Sequence, residues 1–254
     1  MIDDKKVIGV VGGVGPFAGV DLVRKVLGQT AAEKDQDHLP VILMSLPHLI
    51  ADRTEFLTGR EGVNPGGAIG EIILNLERLG ADVIGIPCNT AHAPRIFDSI
   101  TAVLSEHGSR AKVLHLIGEV VAFLRRSHPD RRNVGILATE GTYRANVYGD
   151  RLESAGFGVV LPDGRTKRML HDAIYDRRYG IKSVPNEAGG KAREAILEAV
   201  SRLRQSGAES VLLGCTELPL AVPEGVFEGT PLIDPNLVLA RALIAAASPE
   251  RLRK

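Results

Sequence analysis

Eight short runs of mostly branched aliphatic residues punctuate this chain, with helical patterns between them. They are Val7–Val11, Val41–Leu46, Val83–Ile86 and Val113–Leu116 in the first half, then Val134–Leu137, Val159–Leu161, Val211–Leu213 and Leu232–Ile233. Between runs, Ala68, Ile69, Ile72, Ile73, Leu76 and Leu79 share one helical face. Ala192, Ala195, Ile196, Ala199, Val200 and Leu203 do the same later on. Strands that are apolar throughout and alternate with helices call for parallel sheets covered on both faces. The expected fold class is therefore α/β.

A weak internal repeat divides this pattern in two. Gly80–Thr90 (GADVIGIPCNT) aligns without a gap on Gly207–Glu217 (GAESVLLGCTE), 127 positions on, and Val7 and Val134 begin runs at the same offset. Each repeat carries one cysteine where its strand ends. The expectation is two pseudo-symmetric Rossmann-like lobes, each with a mostly parallel four-stranded sheet. The first comprises 1–112 and a returning 229–254 that ends in a helix over Asn236–Ala247; the second comprises 113–228. Ser183–Gly190, with proline, asparagine and two glycines, reads as a loop.

Composition narrows the function. Lysine plus arginine and aspartate plus glutamate number 31 each, so the basic excess expected of a nucleic-acid or membrane-surface binder is missing. Aromatics are 4% and tryptophan is absent, which disfavours base stacking. Val7–Val11 is too short for the apolar core of a signal peptide, and no apolar run is long enough to span a bilayer. The chain reads as soluble and cytoplasmic, and its two cysteines as free thiols.

Ligands of parallel sheets bind at the carboxyl ends of strands. Cys88 and Cys215 both fall there, Cys88 ahead of an expected helix through Ala91–Phe97. Free amides of such a turn favour a thiolate. Asn89, Thr90 and Thr216 can hydrogen-bond a substrate, and their backbone amides can hold a carboxylate. Alone, either cysteine could be a small buried hydrophobe. As an equivalent pair they suit inversion at a carbon acid, where one thiolate removes a proton and one thiol returns it on the opposite face. A thiol pKa of about 8.5 keeps both forms accessible. The developing carbanion also needs preorganised donors at the α-carboxylate. Gly13, Val14 and Gly15 would bring backbone amides up to a carboxylate, with Pro16 starting a helix. Thr139 and Thr142, after the first strand of the second lobe, are further hydrogen-bonding candidates.

The segments VIGVVGGVGPFAGVDL (7–22), DQDHLPVI (35–42), ADRTEFL (51–57), GADVIGIPCNTAHA (80–93), ILATEGT (136–142) and LLGCTELPL (212–220) resemble the aspartate/glutamate racemase superfamily, in its aspartate-racemase-like branch. The resemblance implies two lobes with the active site between them and Cys88 and Cys215 as the acid/base pair. It implies no cofactor, neither pyridoxal phosphate nor metal, and a homodimer. It also implies Arg53 and Lys182 as ligands of the distal carboxylate, with Arg177, Arg178 or Lys191 as alternatives to Lys182. The chain departs from the usual pattern at Val14, where methionine is common, and along Leu46–Asp52, positions that bear on the choice of substrate. The expected activity is racemisation of a small acidic amino acid, aspartate first and glutamate second. The alternatives are a hydantoin racemase, maleate isomerase or arylmalonate decarboxylase on the same scaffold, or a non-catalytic amino-acid-binding protein.

Two sharper motifs are set aside. Gly13–Ala18 fits a dinucleotide fingerprint, but the second strand ends near Ser45-Leu46 without the acidic residue that the ribose needs. Cys88 and His92 could share a helix face, but zinc needs three or four ligands.

Overall fold

The computed structural model describes residues 6–183, 190–223 and 225–254. Most of the expected 183–190 loop lies outside them. The chain divides into two compact units, Met1–Glu119 with Asn236–Lys254, and Val120–Pro235. The expected return to the first lobe at 229 falls inside a hairpin of the second unit.

The first unit runs β1 (Val7–Gly12), α1 (Pro16–Gln29), β2 (Val41–Ser45), α2 (Arg53–Thr58), α3 (Pro65–Arg78), β3 (Ala81–Gly85), α4 (Pro94–Glu106) and β4 (Lys112–Val113), and then enters α5 (Leu116–Ser127). Its sheet has the order β2-β1-β3-β4 and is parallel throughout. Ile69, Ile72, Ile73 and Leu76 of α3 are buried in the core, as their spacing requires, each worth about 1.5–3 kcal/mol. Leu79, the last member of that expected face, is exposed because α3 ends at Arg78 and Leu79 caps it.

Two local expectations are corrected. The strand expected over Val113–Leu116 covers only Lys112–Val113. Leu114 N–H still bonds to the Ile84 carbonyl, but Leu116 already starts α5, where His115 Nδ1 accepts from Gly118 N–H at 3.3 Å. The helix expected from Ala91 begins at Pro94, because a 3-10 turn over Thr90–His92 comes first and proline takes the first helical position.

The second unit continues with β5 (Asn133–Ala138), α6 (Glu140–Arg144), α7 (Gly149–Ser154), β6 (Gly158–Val160), α8 (Gly164–Tyr175), α9 (Lys191–Gln205), β7 (Ser210–Gly214), α10 (Leu218–Ala221), β8 (Gly225–Phe227) and β9 (Thr230–Ile233), and α11 (Pro235–Ala247) returns to the first. Its sheet order is β6-β5-β7-β9-β8. Instead of four strands it has five, because β8 pairs antiparallel with β9. The two-residue turn Glu228-Gly229 has φ of 48° and 78°, both left-handed, as a tight hairpin of this kind requires. Short and flanked by glycines, β8 offers little apolar signal.

The repeat survives as topology. β2-β1-β3 in one unit and β6-β5-β7 in the other have the same order and direction, and the cysteine-bearing segments leave β3 and β7.

Candidate active site

In the first unit, β3 ends at Gly85 and the chain turns through Ile86–Cys88, with Cys88 N–H donating to the Ile86 carbonyl at 2.8 Å. Cys88 is a buried free thiol. Its Sγ lies 3.2 Å from Thr90 Oγ1, a contact in which either group can donate. His92 Nδ1 donates to the Cys88 carbonyl at 2.8 Å, and its ring packs edge-on against His115 and stacks on Phe97. His92 therefore braces the turn. Asn89 and Thr90 are buried beside the thiol.

Arg53 opens α2 in the same unit. Asp52 caps that helix by accepting from Glu55 N–H at 2.9 Å, so it is not simply a surface partner for Arg53. Arg53 is 8% exposed, and its guanidinium donates to the carbonyls of Val14 and Ala51. The expected glycine loop and the expected carboxylate ligand thus meet. Gly13 has φ of +82°, and a β-carbon there would stand 2.7 Å from Pro47 N, so the close packing of the loop on 46–47 requires glycine. α2 in turn contacts the Thr90–His92 turn.

In the second unit, Cys215 follows β7 and is also a buried free thiol. Its Sγ donates to Glu217 Oε2 at 3.0 Å, and Lys182 Nζ pairs with Glu217 Oε1 at 3.2 Å. Burial holds the Cys215 thiol well above its ordinary pKa. The Glu217 charge adds to this and Lys182 partly offsets it. Thr216 is buried between them, 3.5 Å from Glu217 Oε2. Lys182 therefore stands beside Cys215, engaged with a carboxylate of the protein itself. Of its alternatives, Arg178 pairs with Asp176 at 3.9 Å and Lys191 lies over the Tyr179 ring at 4.2 Å.

Thr139 and Thr142 bring their hydroxyls within 3.2 Å at the exit of β5. Tyr143 fixes that exit: its hydroxyl accepts from Ala138 N–H at 2.8 Å and donates to the Ile136 carbonyl at 3.1 Å. Burial keeps this phenol, and that of fully buried Tyr148, protonated. Sequence reasoning missed Glu217 and Tyr143 as parts of the site. The one available signal was glutamate two residues after a cysteine at a strand end.

Two similar α/β units, each with a free thiol at the exit of an equivalent strand, define the class of protein. The sequence pattern of the Asp/Glu/Hydantoin racemase family matches residues 11–243, and the chain belongs to that family. It is 26% identical over 244 residues to the broad specificity amino-acid racemase RacX of Bacillus subtilis (strain 168), covering 94% of this chain and 96% of that one. The aspartate racemase of Picrophilus torridus superposes with a TM-score of 0.76 at 30% identity, covering 95% and 94% of the two chains. An aspartate racemase homologue from Pyrococcus horikoshii OT3 superposes with a TM-score of 0.71 at 27% identity, covering 96% and 99%. Among the described residues no helix is long and apolar enough to cross a membrane.

Proposed function

We propose that this enzyme racemises a small acidic amino acid, aspartate first and glutamate second, in the cytoplasm and without a cofactor, with Cys88 and Cys215 as the proton-transfer pair. The observation that carries the reading is the equivalence of the two thiols: each is buried, free and at the exit of the corresponding strand of its unit.

In the reaction, a thiolate on one face of the substrate takes the Cα proton and becomes a thiol. The thiol on the other face gives its proton to Cα and becomes a thiolate. The product is the opposite enantiomer, and the two sulfurs have exchanged protonation states. Reversal needs no added proton. The hydrogen bond to Glu217 favours the neutral form of Cys215, which suits it to the proton-donor role. Arg53 offers a planar fork for a carboxylate, preset by its bonds to Val14 and Ala51. The buried hydroxyls of Thr90, Thr139, Thr142 and Thr216 supply donors for the charge that develops on the α-carboxylate. Lys182 neutralises Glu217, and a distal carboxylate must compete with Glu217 to reach it.

A second reading keeps the chemistry and widens the substrate. The nearly full-length likeness to a broad specificity racemase favours it, as do Val14 and the Leu46–Asp52 segment. One experiment tests both. The protein is incubated in deuterated water with L-aspartate, L-glutamate and a panel of neutral amino acids. Loss of the Cα proton together with appearance of the D-enantiomer is expected for the acidic pair. Inversion of neutral amino acids as well selects the second reading, and neither exchange nor inversion on any substrate overturns both.

A further inference from the structure

Between α6 and α8, beginning at the β5 exit with Ala138, Thr139 and Tyr143, the second unit has a half-open hollow of about 520 Å³. That volume suits a small organic molecule and far exceeds a single ion. The two helices present matched faces. On α8, Lys167 and Arg168 each lie three or four residues before His171, and on α6 Glu140 lies three and four residues before Tyr143 and Arg144. Leu170, Ala173 and Ile174 of α8 are buried in the core, half-buried Lys167 lies along their edge, and Arg168 and His171 are exposed.

The charges do not cancel. Glu140, the single carboxylate lining the hollow, pairs with Arg144 at 2.9 Å. Among the described residues, neither Lys167 nor Arg168 has a carboxylate partner. Lys167 Nζ sits 4.8 Å above the Tyr143 ring, a cation–π contact that fixes one charge against an apolar wall. Arg168 folds over Gly164, where a β-carbon would stand 3.6 Å from its Nη1. Among the described residues this leaves two cations without a carboxylate partner in the lining of a cavity that also includes an aromatic ring. We propose that this hollow binds a small organic dianion, a phosphomonoester or a dicarboxylate, with Lys167 and Arg168 on the anionic group and Tyr143 against the organic body.

The test uses phenyl phosphate and phthalate as probes in separate calorimetric titrations of the full chain. At least one should bind saturably with one-to-one stoichiometry, and which one does so identifies the anionic group. The double variant Lys167→Ala/Arg168→Ala should weaken that binding by about tenfold or more, as expected when charge-assisted hydrogen bonds are lost. Arg168→Lys, which keeps the charge but not the fork, should fall between the two. A thermal melt shows that each variant is folded. Two results overturn the proposal: no saturable binding of either probe at about 10 mM, where even a weak site fills, or binding equally tight in the folded double variant.

Discussion

Cys88 has a neutral hydroxyl at 3.2 Å, whereas Cys215 donates to the buried carboxylate of Glu217 at 3.0 Å, which is itself paired with Lys182. The two thiols leave equivalent strands, so backbone and topology do not account for the contrast. It comes from the residues just after each cysteine: Asn89-Thr90 and a 3-10 turn in one unit, Thr216-Glu217 and a one-turn helix in the other. A duplicated scaffold can supply two bases, but inversion needs one protonated and one not. On the proposed mechanism, Glu217, two residues after Cys215, supplies that asymmetry by favouring the thiol there.

The largest expected effect comes from removing either member of the pair. Cys88→Ala or Cys215→Ala should lower kcat for inversion by about 10²–10⁴-fold, the usual range for a lost acid/base group. Steady-state assays in both directions check this, and a fully active variant would break the comparison at its root. Arg53→Ala should come next. With a charged, forked donor gone, kcat/KM for L-aspartate should drop by about 10- to 100-fold, and Arg53→Lys should restore only part of it. An unchanged KM would remove Arg53 from the substrate.

Glu217→Gln sharpens the contrast between the corners. It removes a negative charge that raises the Cys215 pKa and leaves Lys182 beside the sulfur, so Cys215 ionises at lower pH. In the direction that uses Cys215 as base, the rising limb of the pH–rate profile should move to lower pH. In the direction that uses it as acid, activity should fail at lower pH than in the parent. Profiles that coincide with the parent in both directions would rule out Glu217 as a positioning residue.

The smallest effect is on stability. The folded-state pKa of Cys215 lies above that of an unfolded thiol, about 8.5. As pH rises past that value the unfolded chain releases a proton that the folded chain keeps. Its contribution, complete below the unfolded pKa, is therefore lost toward the folded one. Denaturant titrations at about pH 7 and about pH 9.5 should show a decline that Cys215→Ala reduces. An identical decline in the variant would mean that Cys215 is not the group responsible.

Much of this was legible in the residues. Among the described residues, the apolar runs marked seven of the nine strands well and the edge strand β4 at a single residue, Val113. The shared offset of 127 put both cysteines at equivalent strand ends. Arg53 and the Gly13–Gly15 loop were named separately, and the structure joins them through Val14. β8 was not legible, because a three-residue strand beside a tight hairpin has no periodicity to read. The helix start at Pro94 was misplaced because a 3-10 turn and an α-helix share a similar apolar spacing. Glu217 was quoted but given no role. Its ion pair is with Lys182, 35 positions earlier in the chain, and only the fold brings that side chain near.

The central claim, two thiols on opposite faces of Cα, is tested most directly by single-cysteine variants in deuterated water with each enantiomer of aspartate supplied separately. Cys88→Ser and Cys215→Ser should each abolish inversion. Any residual Cα exchange in a variant should be confined to one enantiomer, and to opposite enantiomers in the two variants. Inversion that persists in either variant, or exchange on the same enantiomer in both, would contradict it.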